Sequence, residues 1–152
     1  MAFVGEKGIL MNGKTIEELK IGDKAQFAKT ISESDIYLYA GVTGDFNPAH
    51  LNEIYAKETH FKTRIAHGML IAGFISTVIG NQLPGPGTIY LKQELNFLAP
   101  VKIGDTITAE VEVKDILVEQ KHVRLKTICL NQHEEKIVDG EAIVSPPRVF
   151  KE

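Results

Sequence analysis

The sequence predicts an α+β fold in which one curved antiparallel sheet wraps around a long apolar helix. The segment 67–80 is apolar on nearly every side, with Ser76 and Thr77 as its polar exceptions. It is too short to cross a bilayer, which favours a buried helix of the core. After it, apolar and polar residues alternate in several runs joined by short turns, as in half-buried antiparallel strands. A buried helix needs a surrounding layer, and a strongly curved sheet supplies one.

The first half of the chain contains shorter predicted elements. Ser32 is a good N-cap, and Glu33 and Asp35 suit the first turn of a helix. Pro48 and the glycines before it interrupt that helix. The predicted elements are an N-terminal extension over 1–15, a strand over 24–30, a helix from Ser32 to Ala40, a loop or broken helix over 41–51 and a helix over 52–58.

The second half supplies the sheet. A turn rich in proline and glycine over 83–87 ends the apolar helix, and Pro100 and Gly104 mark another turn. Between such turns apolar residues occupy every second position, as in a strand with one buried face. The predicted strands cover 89–97, 106–114, 123–129 and 136–145.

Composition and charge limit the classes of function. The chain has 152 residues, of which 43% are hydrophobic and 24% charged, and these values are typical of one folded domain. The net charge of −3 lacks the basic excess of a protein that binds nucleic acid or a membrane surface. The single Cys129 excludes a disulfide within the chain and a multi-cysteine zinc site. No signal peptide is apparent, so we expect a cytoplasmic protein.

Two segments carry a specific motif. The first is Gly44-Asp45-Phe46-Asn47-Pro48-Ala49-His50, and the second is Ala66-His67-Gly68-Met69. These residues and their spacing resemble the MaoC-like (R)-specific enoyl-CoA hydratases, which have the hot-dog fold. The resemblance implies a MaoC-like hot-dog hydratase domain over 16–152 and a homodimer or higher homo-oligomer. It also implies an acyl-CoA thioester as substrate, with an acyl carrier protein thioester as the alternative, and neither a nucleic acid nor a membrane as partner.

The resemblance further implies which residues do the chemistry. In the family, the acid and the histidine of the first motif activate water, and here these are Asp45 and His50. A carboxylate and an imidazole can share the proton transfers of conjugate addition near neutral pH. Gly68 is expected to begin the buried helix and to offer a backbone N–H to the thioester oxygen. Ser76 matches a family serine near the catalytic pair, and Asn47 is expected to brace the loop.

Two other functions stay open at this point. A hot-dog thioesterase would direct water at the thioester carbonyl, and a non-catalytic acyl-CoA-binding subunit would need neither Asp45 nor His50. The histidines outside the motifs lack partners at metal-ligand spacing, so we expect no metal, and we expect no cofactor. His67 is interpreted as fixed by the start of the helix rather than as catalytic. Lys62 and Arg64 could meet the phosphates of coenzyme A, but a solvated surface charge is the favoured interpretation of each.

Overall fold

The computed structural model describes residues 4–5, 8–9 and 12–149. In chain order its elements are β1 (Val4–Gly5), β2 (Gly8–Ile9), β3 (Lys24–Thr30), α1 (Glu33–Thr43), α2 (Pro48–Leu51), α3 (Glu53–Glu58), α4 (Gly68–Asn81), β4 (Ile89–Phe97), β5 (Thr106–Leu117), β6 (His122–Leu130) and β7 (Lys136–Ser145). The predicted strand over 24–30, the four later strands and the apolar helix are all present. The α+β class is therefore confirmed.

The end of the predicted N-terminal extension already contacts the rest of the chain. The N–H of Gly13 donates to the carbonyl oxygen of Pro86 at 2.8 Å, and the N–H of Lys14 donates to that of Pro84 at 2.7 Å. Residues 1–3, 6–7 and 10–11 of the extension lie outside the described residues, as do residues 150–152 of the predicted domain. The division at residue 16 stays a prediction.

Five strands form one antiparallel sheet in the order β3-β5-β6-β7-β4. The pairing register shifts at three places, near Leu91 in β4, Lys114 in β5 and the end of β6. Such bulges bend a strand and increase its twist, which helps the sheet to curve. Helix α4 packs against β3, β5 and β6. The curved antiparallel sheet packed against an apolar helix, which the sequence predicts, is therefore present.

The core lies between α4 and the inner face of the sheet. Every second residue of β5 from Ile107 to Val113 is buried, and β6 alternates in the same way from Val123 to Cys129. The sheet is bound to the helix partly by an edge-to-face contact between Phe27 and Phe74, whose ring centroids lie 5.6 Å apart. Burial of these alternating apolar side chains is the main source of the stability of the fold.

Helix α4 is not buried on all sides. Its buried residues are Ile71, Ala72, Phe74, Ile75, Val78 and Ile79. Met69, Gly73 and Ser76 are exposed, with Met69 retaining 55% of its accessible surface. The expectation of a fully surrounded helix is therefore wrong for the single chain, because the sheet covers one face only. No helix in the described part of the chain has the length and apolar character needed to cross a membrane.

Helix α1 is longer than the sequence predicts. Gly41 does not interrupt it, since a glycine inside a helix costs only about 1 kcal/mol relative to alanine. The helix ends instead at Gly44, whose left-handed backbone (φ 81°) lets its N–H donate to the carbonyl oxygen of Ala40. The predicted N-cap is confirmed, because Ser32 and Asp35 form a reciprocal capping box.

Candidate active site

The loop between α1 and α2 is built by short-range hydrogen bonds of its own residues. After the left-handed turn at Gly44, Oδ1 of Asp45 accepts the N–H of Asn47 at 3.2 Å. Oδ1 of Asn47 then accepts the N–H of Ala49 at 3.0 Å and caps α2. Pro48 occupies the first turn of α2, where the missing N–H costs nothing. The sequence thus folds back within five residues and presents Asp45 and His50 on the same side.

Asn47 has the loop-bracing contacts that the sequence predicts. Its side chain caps α2 and its N–H bonds to Asp45, so it connects the acid to the helix that carries His50. The side chain is exposed in the single chain. A contact of Asn47 with substrate stays a prediction.

His50 has a defined tautomer. Its Nδ1 lies 2.7 Å from the carbonyl oxygen of Ile65, and a carbonyl can only accept, so Nδ1 carries the proton. Nε2 is then the nitrogen with a free lone pair when the ring is neutral. Burial lowers the pKa of His50 below its ordinary value, and the bond to Ile65 opposes that effect. Nearby His67 lowers the pKa further, whereas Asp45 raises it. The balance keeps the ring neutral and basic near pH 7.

A third side chain, His67, completes the cluster. One donor atom from each of Asp45, His50 and His67 lies within 4.8 Å of the others. The rings of His50 and His67 lie 3.9 Å apart between centroids. Sequence reasoning assigned His67 only to the helix start, although it stands in the second motif beside Gly68. The cluster could hold either shared protons or a cation, and the absence of a metal stays a prediction.

The cluster borders an apolar cavity. The cavity has a volume of about 520 Å³ and is lined by His50, Phe61, Ile65, Ala66, Gly68, Met69, Ile71, Phe97, Leu98, Ala99, Pro100, Val101, Ile137 and Val138. His50 is the one titratable side chain in this lining, and the rest of the wall suits a hydrocarbon chain. Asp45 does not line it, and its side chain is exposed.

Gly68 is the first residue of α4 and lies at the cavity wall. Its N–H is one of the helix-terminal donors that have no partner within a helix. A Cβ atom on Gly68 would lie 2.8 Å from ring atoms of Phe97, so a larger residue at this position would require the Phe97 ring or the start of the helix to shift. Phe97 is a site residue that sequence reasoning missed, because only the sheet pairing brings β4 beside the start of α4.

Two further predictions meet different outcomes. Ser76 lies on the exposed face of α4 and does not line the cavity, and its role near Asp45 and His50 stays a prediction. Arg64 is not a solvated surface charge: its guanidinium donates to Glu33 at 2.7 Å, to Glu53 at 3.1 Å and to the Tyr37 hydroxyl at 2.9 Å. The interpretation of Arg64 is wrong because α1 and α3 both present acids to it. Lys62 is exposed.

Most of the chain matches a known protein family. Residues 17–136 match the model of the MaoC like domain family. The chain belongs to this family. The match contains both motifs of this MaoC-like protein, the loop with Asp45 and His50 and the start of α4.

Individual relatives agree with the family. The chain is similar to an (R)-specific enoyl-CoA hydratase of Rhodospirillum rubrum, with 57% identity over 86% of this chain and 90% of the relative. It is 47% identical to a 3-hydroxybutyryl-CoA dehydratase of Methylorubrum extorquens over 87% of this chain and 83% of the relative. The unliganded R-hydratase of Pseudomonas aeruginosa has a similar structure, with a TM-score of 0.85, 45% identity, and coverage of 92% and 93% of the two chains. The hot-dog fold is thereby confirmed for this MaoC-like chain.

Proposed function

We propose that the protein is an (R)-specific enoyl-CoA hydratase, a hydro-lyase. The reaction is the reversible syn addition of water to a trans-2-enoyl-CoA, which gives the (R)-3-hydroxyacyl-CoA. The observation that carries the proposal is the tautomer of His50: its Nδ1–H bonds to Ile65 and leaves the lone pair on Nε2, and the residue lines an apolar cavity beside Asp45. The identities of the similar hydratases support it.

The proposed chemistry uses Asp45 and His50 as one unit on one water molecule. The pair takes a proton from the water as the water oxygen bonds to Cβ of the substrate, and the double-bond electrons move toward the thioester oxygen. The pair then returns a proton to Cα, so that the elements of one water are added. We assign both transfers to the pair rather than one to each residue.

Negative charge on the thioester oxygen needs a donor. The N–H of Gly68 is proposed for this role, because it is the first of α4 and lies at the cavity wall. The positive end of the helix dipole adds to its effect. The absence of a side chain at Gly68 lets a thioester approach the helix end. Ser76 and Asn47 are proposed as supporting substrate contacts.

We further propose a homodimer formed along β4. This strand lies at one edge of the sheet, where its outer backbone groups can pair with another strand. It exposes large apolar side chains, namely Ile89, Tyr90, Leu91 and Phe97. Twofold symmetry is the commonest closed symmetry of protein oligomers. Pairing of two β4 edges about such an axis would cover these exposed apolar side chains.

A single assay separates the hydratase from its alternatives. Purified protein is mixed with crotonyl-CoA, and loss of enoyl absorbance, release of free thiol and the chirality of the product are followed. We expect loss of enoyl absorbance with an intact thioester and (R)-3-hydroxybutyryl-CoA as product. Thiol release would identify a thioesterase. Binding without turnover of crotonyl-CoA or of longer enoyl-CoAs would identify a non-catalytic subunit, and either result would overturn the proposal.

A further inference from the structure

Buried His67 contacts both Asp45 and His50 of the candidate site. Its side chain is 2% exposed, and its Nε2 lies 3.0 Å from the backbone carbonyl oxygen of Asp45. Its ring packs between Tyr39 of α1, with centroids 4.7 Å apart, and His50 of α2, with centroids 3.9 Å apart. His67 itself is the N-cap of α4. One imidazole therefore joins α1, α2, α4 and the loop over 44–47, here called the acid loop because it carries Asp45.

The hydrogen bond of His67 fixes its tautomer. The carbonyl oxygen of Asp45 can only accept, so Nε2 of His67 carries the proton. In a neutral ring Nδ1 is then an acceptor, and it has no hydrogen-bond partner among the described residues. An unpaired buried polar atom is destabilising, and a phenyl ring would fill the space without that cost. Packing alone therefore does not explain an imidazole at this position.

We infer that His67 is a positioning residue: its Nε2–H holds the acid loop at the Asp45 carbonyl, and its ring holds the His50 ring against that loop. The inference rests on the proposed hydratase function and adds a member to its machinery. His67 does not line the cavity, so it acts through Asp45 and His50 rather than on the substrate.

The position of His67 also affects the protonation of its neighbour. The titratable groups that the structure places against it are Tyr39 of α1, Asp45 of the loop and His50 of α2. Among them, His50 has a pKa below its ordinary value, chiefly through burial and in part through His67. Replacing His67 by a ring that cannot be charged should keep His50 buried but remove the effect of His67 on the pKa of His50. The titration midpoint of His50 should then rise.

Two substitutions separate the donor from the ring. In His67→Gln the side-chain amide nitrogen can stand near the place of Nε2 and still donate to Asp45, but the ring is lost. In His67→Phe the ring is kept and the donor is lost. A purely structural role favours Phe, because it fills the same space without an unpaired atom. A positioning role favours Gln, because the hydrogen bond to the acid loop survives.

The experiment measures kcat and KM for crotonyl-CoA hydration, thermal unfolding, and the titration of the histidine ring protons by NMR. We expect kcat to fall about tenfold or more in His67→Phe with KM little changed, because small displacements of catalytic groups are costly, and to fall less in His67→Gln. The midpoint of His50 should rise in both variants, with its resonance assigned by loss in His50→Gln. His133→Gln, an exposed turn histidine, is the matched control and should match wild type.

The results test the positioning role of His67 separately from the proposed hydratase activity. Wild-type kcat in a folded His67→Phe, with the midpoint of His50 unchanged, would overturn it. If His67→Phe fails to fold, the same two measurements on His67→Gln decide, and an unchanged His50 midpoint there overturns the inference. If the wild-type protein does not hydrate enoyl-CoA, the proposed function fails, while the NMR midpoints still test whether His67 controls His50.

Discussion

Gly68 and Phe97 approach each other at the cavity so closely that a Cβ atom on Gly68 would lie 2.8 Å from the phenyl ring. The Phe97 ring therefore lies directly beside the first residue of α4, whose N–H is proposed to bind the thioester oxygen. The two residues are far apart in the chain, and only the sheet brings them together.

The first prediction concerns this contact. In Gly68→Ala the new methyl group must displace Phe97 or the helix start, and we expect kcat/KM to fall between about tenfold and hundredfold, since a 1 Å displacement can cost about 10²-fold. The double variant Gly68→Ala/Phe97→Leu should recover part of the loss. Gly80→Ala in the last turn of α4 is the control, because a Cβ there meets no atom within 4 Å. Equal activity of Gly68→Ala and Gly80→Ala would refute the contact.

The second prediction follows from the protonation of His50. Burial lowers the pKa of this imidazole below its ordinary value of about 6.5. Hydration needs the neutral ring, so kcat/KM should keep more than half of its plateau value at pH 6.5 and fall further at lower pH. Measurement of kcat/KM against pH with crotonyl-CoA checks this. A loss of kcat/KM at low pH with its midpoint above pH 6.5, or the same loss in His50→Gln, would contradict a role for His50 in removing the proton from water.

The third prediction concerns Arg64, which joins α1 to α3. Its side chain is only 16% exposed and bonds to Glu33, Glu53 and Tyr37. Arg64→Gln should lower the free energy of unfolding by about 1–2 kcal/mol, because several charge-assisted bonds of a partly exposed network are lost together. Thermal unfolding measures this loss. Lys57→Gln, which removes an exposed charge from α3, should leave the melting temperature unchanged. Equal melting temperatures for the two variants would contradict the assignment.

The fourth prediction concerns assembly through β4. Light scattering should give about twice the chain mass of 16.8 kDa. Leu91→Lys, which places a charge on the exposed edge strand, should produce monomers with reduced activity, because charged edge strands resist pairing. Val118→Lys adds the same charge to an exposed position away from β4 and should remain dimeric. A stable, fully active wild-type monomer would contradict the dimer.

The sequence predicts best those features that depend on near neighbours. Asp45 and His50 are five positions apart, and the turn, cap and proline between them dictate how the chain bends, so their approach could be inferred. Phe97 could not be found in this way, because its contact with Gly68 depends on strand order. The exposed face of α4 was also missed, since an apolar helix sequence does not tell which layer covers each side. Ser76 lies on that face.

His67 illustrates a different limit. Its place in the second motif is visible in the sequence, and so is its position at a helix start. The hydrogen bond to the Asp45 carbonyl and the packing against His50 depend on how the acid loop folds over α4. The residue type alone therefore suggested a structural histidine, whereas the three-dimensional contacts suggest a part of the site.

The central claim is that Asp45 and His50 handle one water as a unit. The most direct test measures crotonyl-CoA hydration and thermal unfolding on the same samples of Asp45→Asn, His50→Gln and the double variant. We predict folded proteins, a fall in kcat of about 10²–10⁴ in each single variant, and a double variant little worse than either. Folded Asp45→Asn protein with wild-type kcat would contradict the claim.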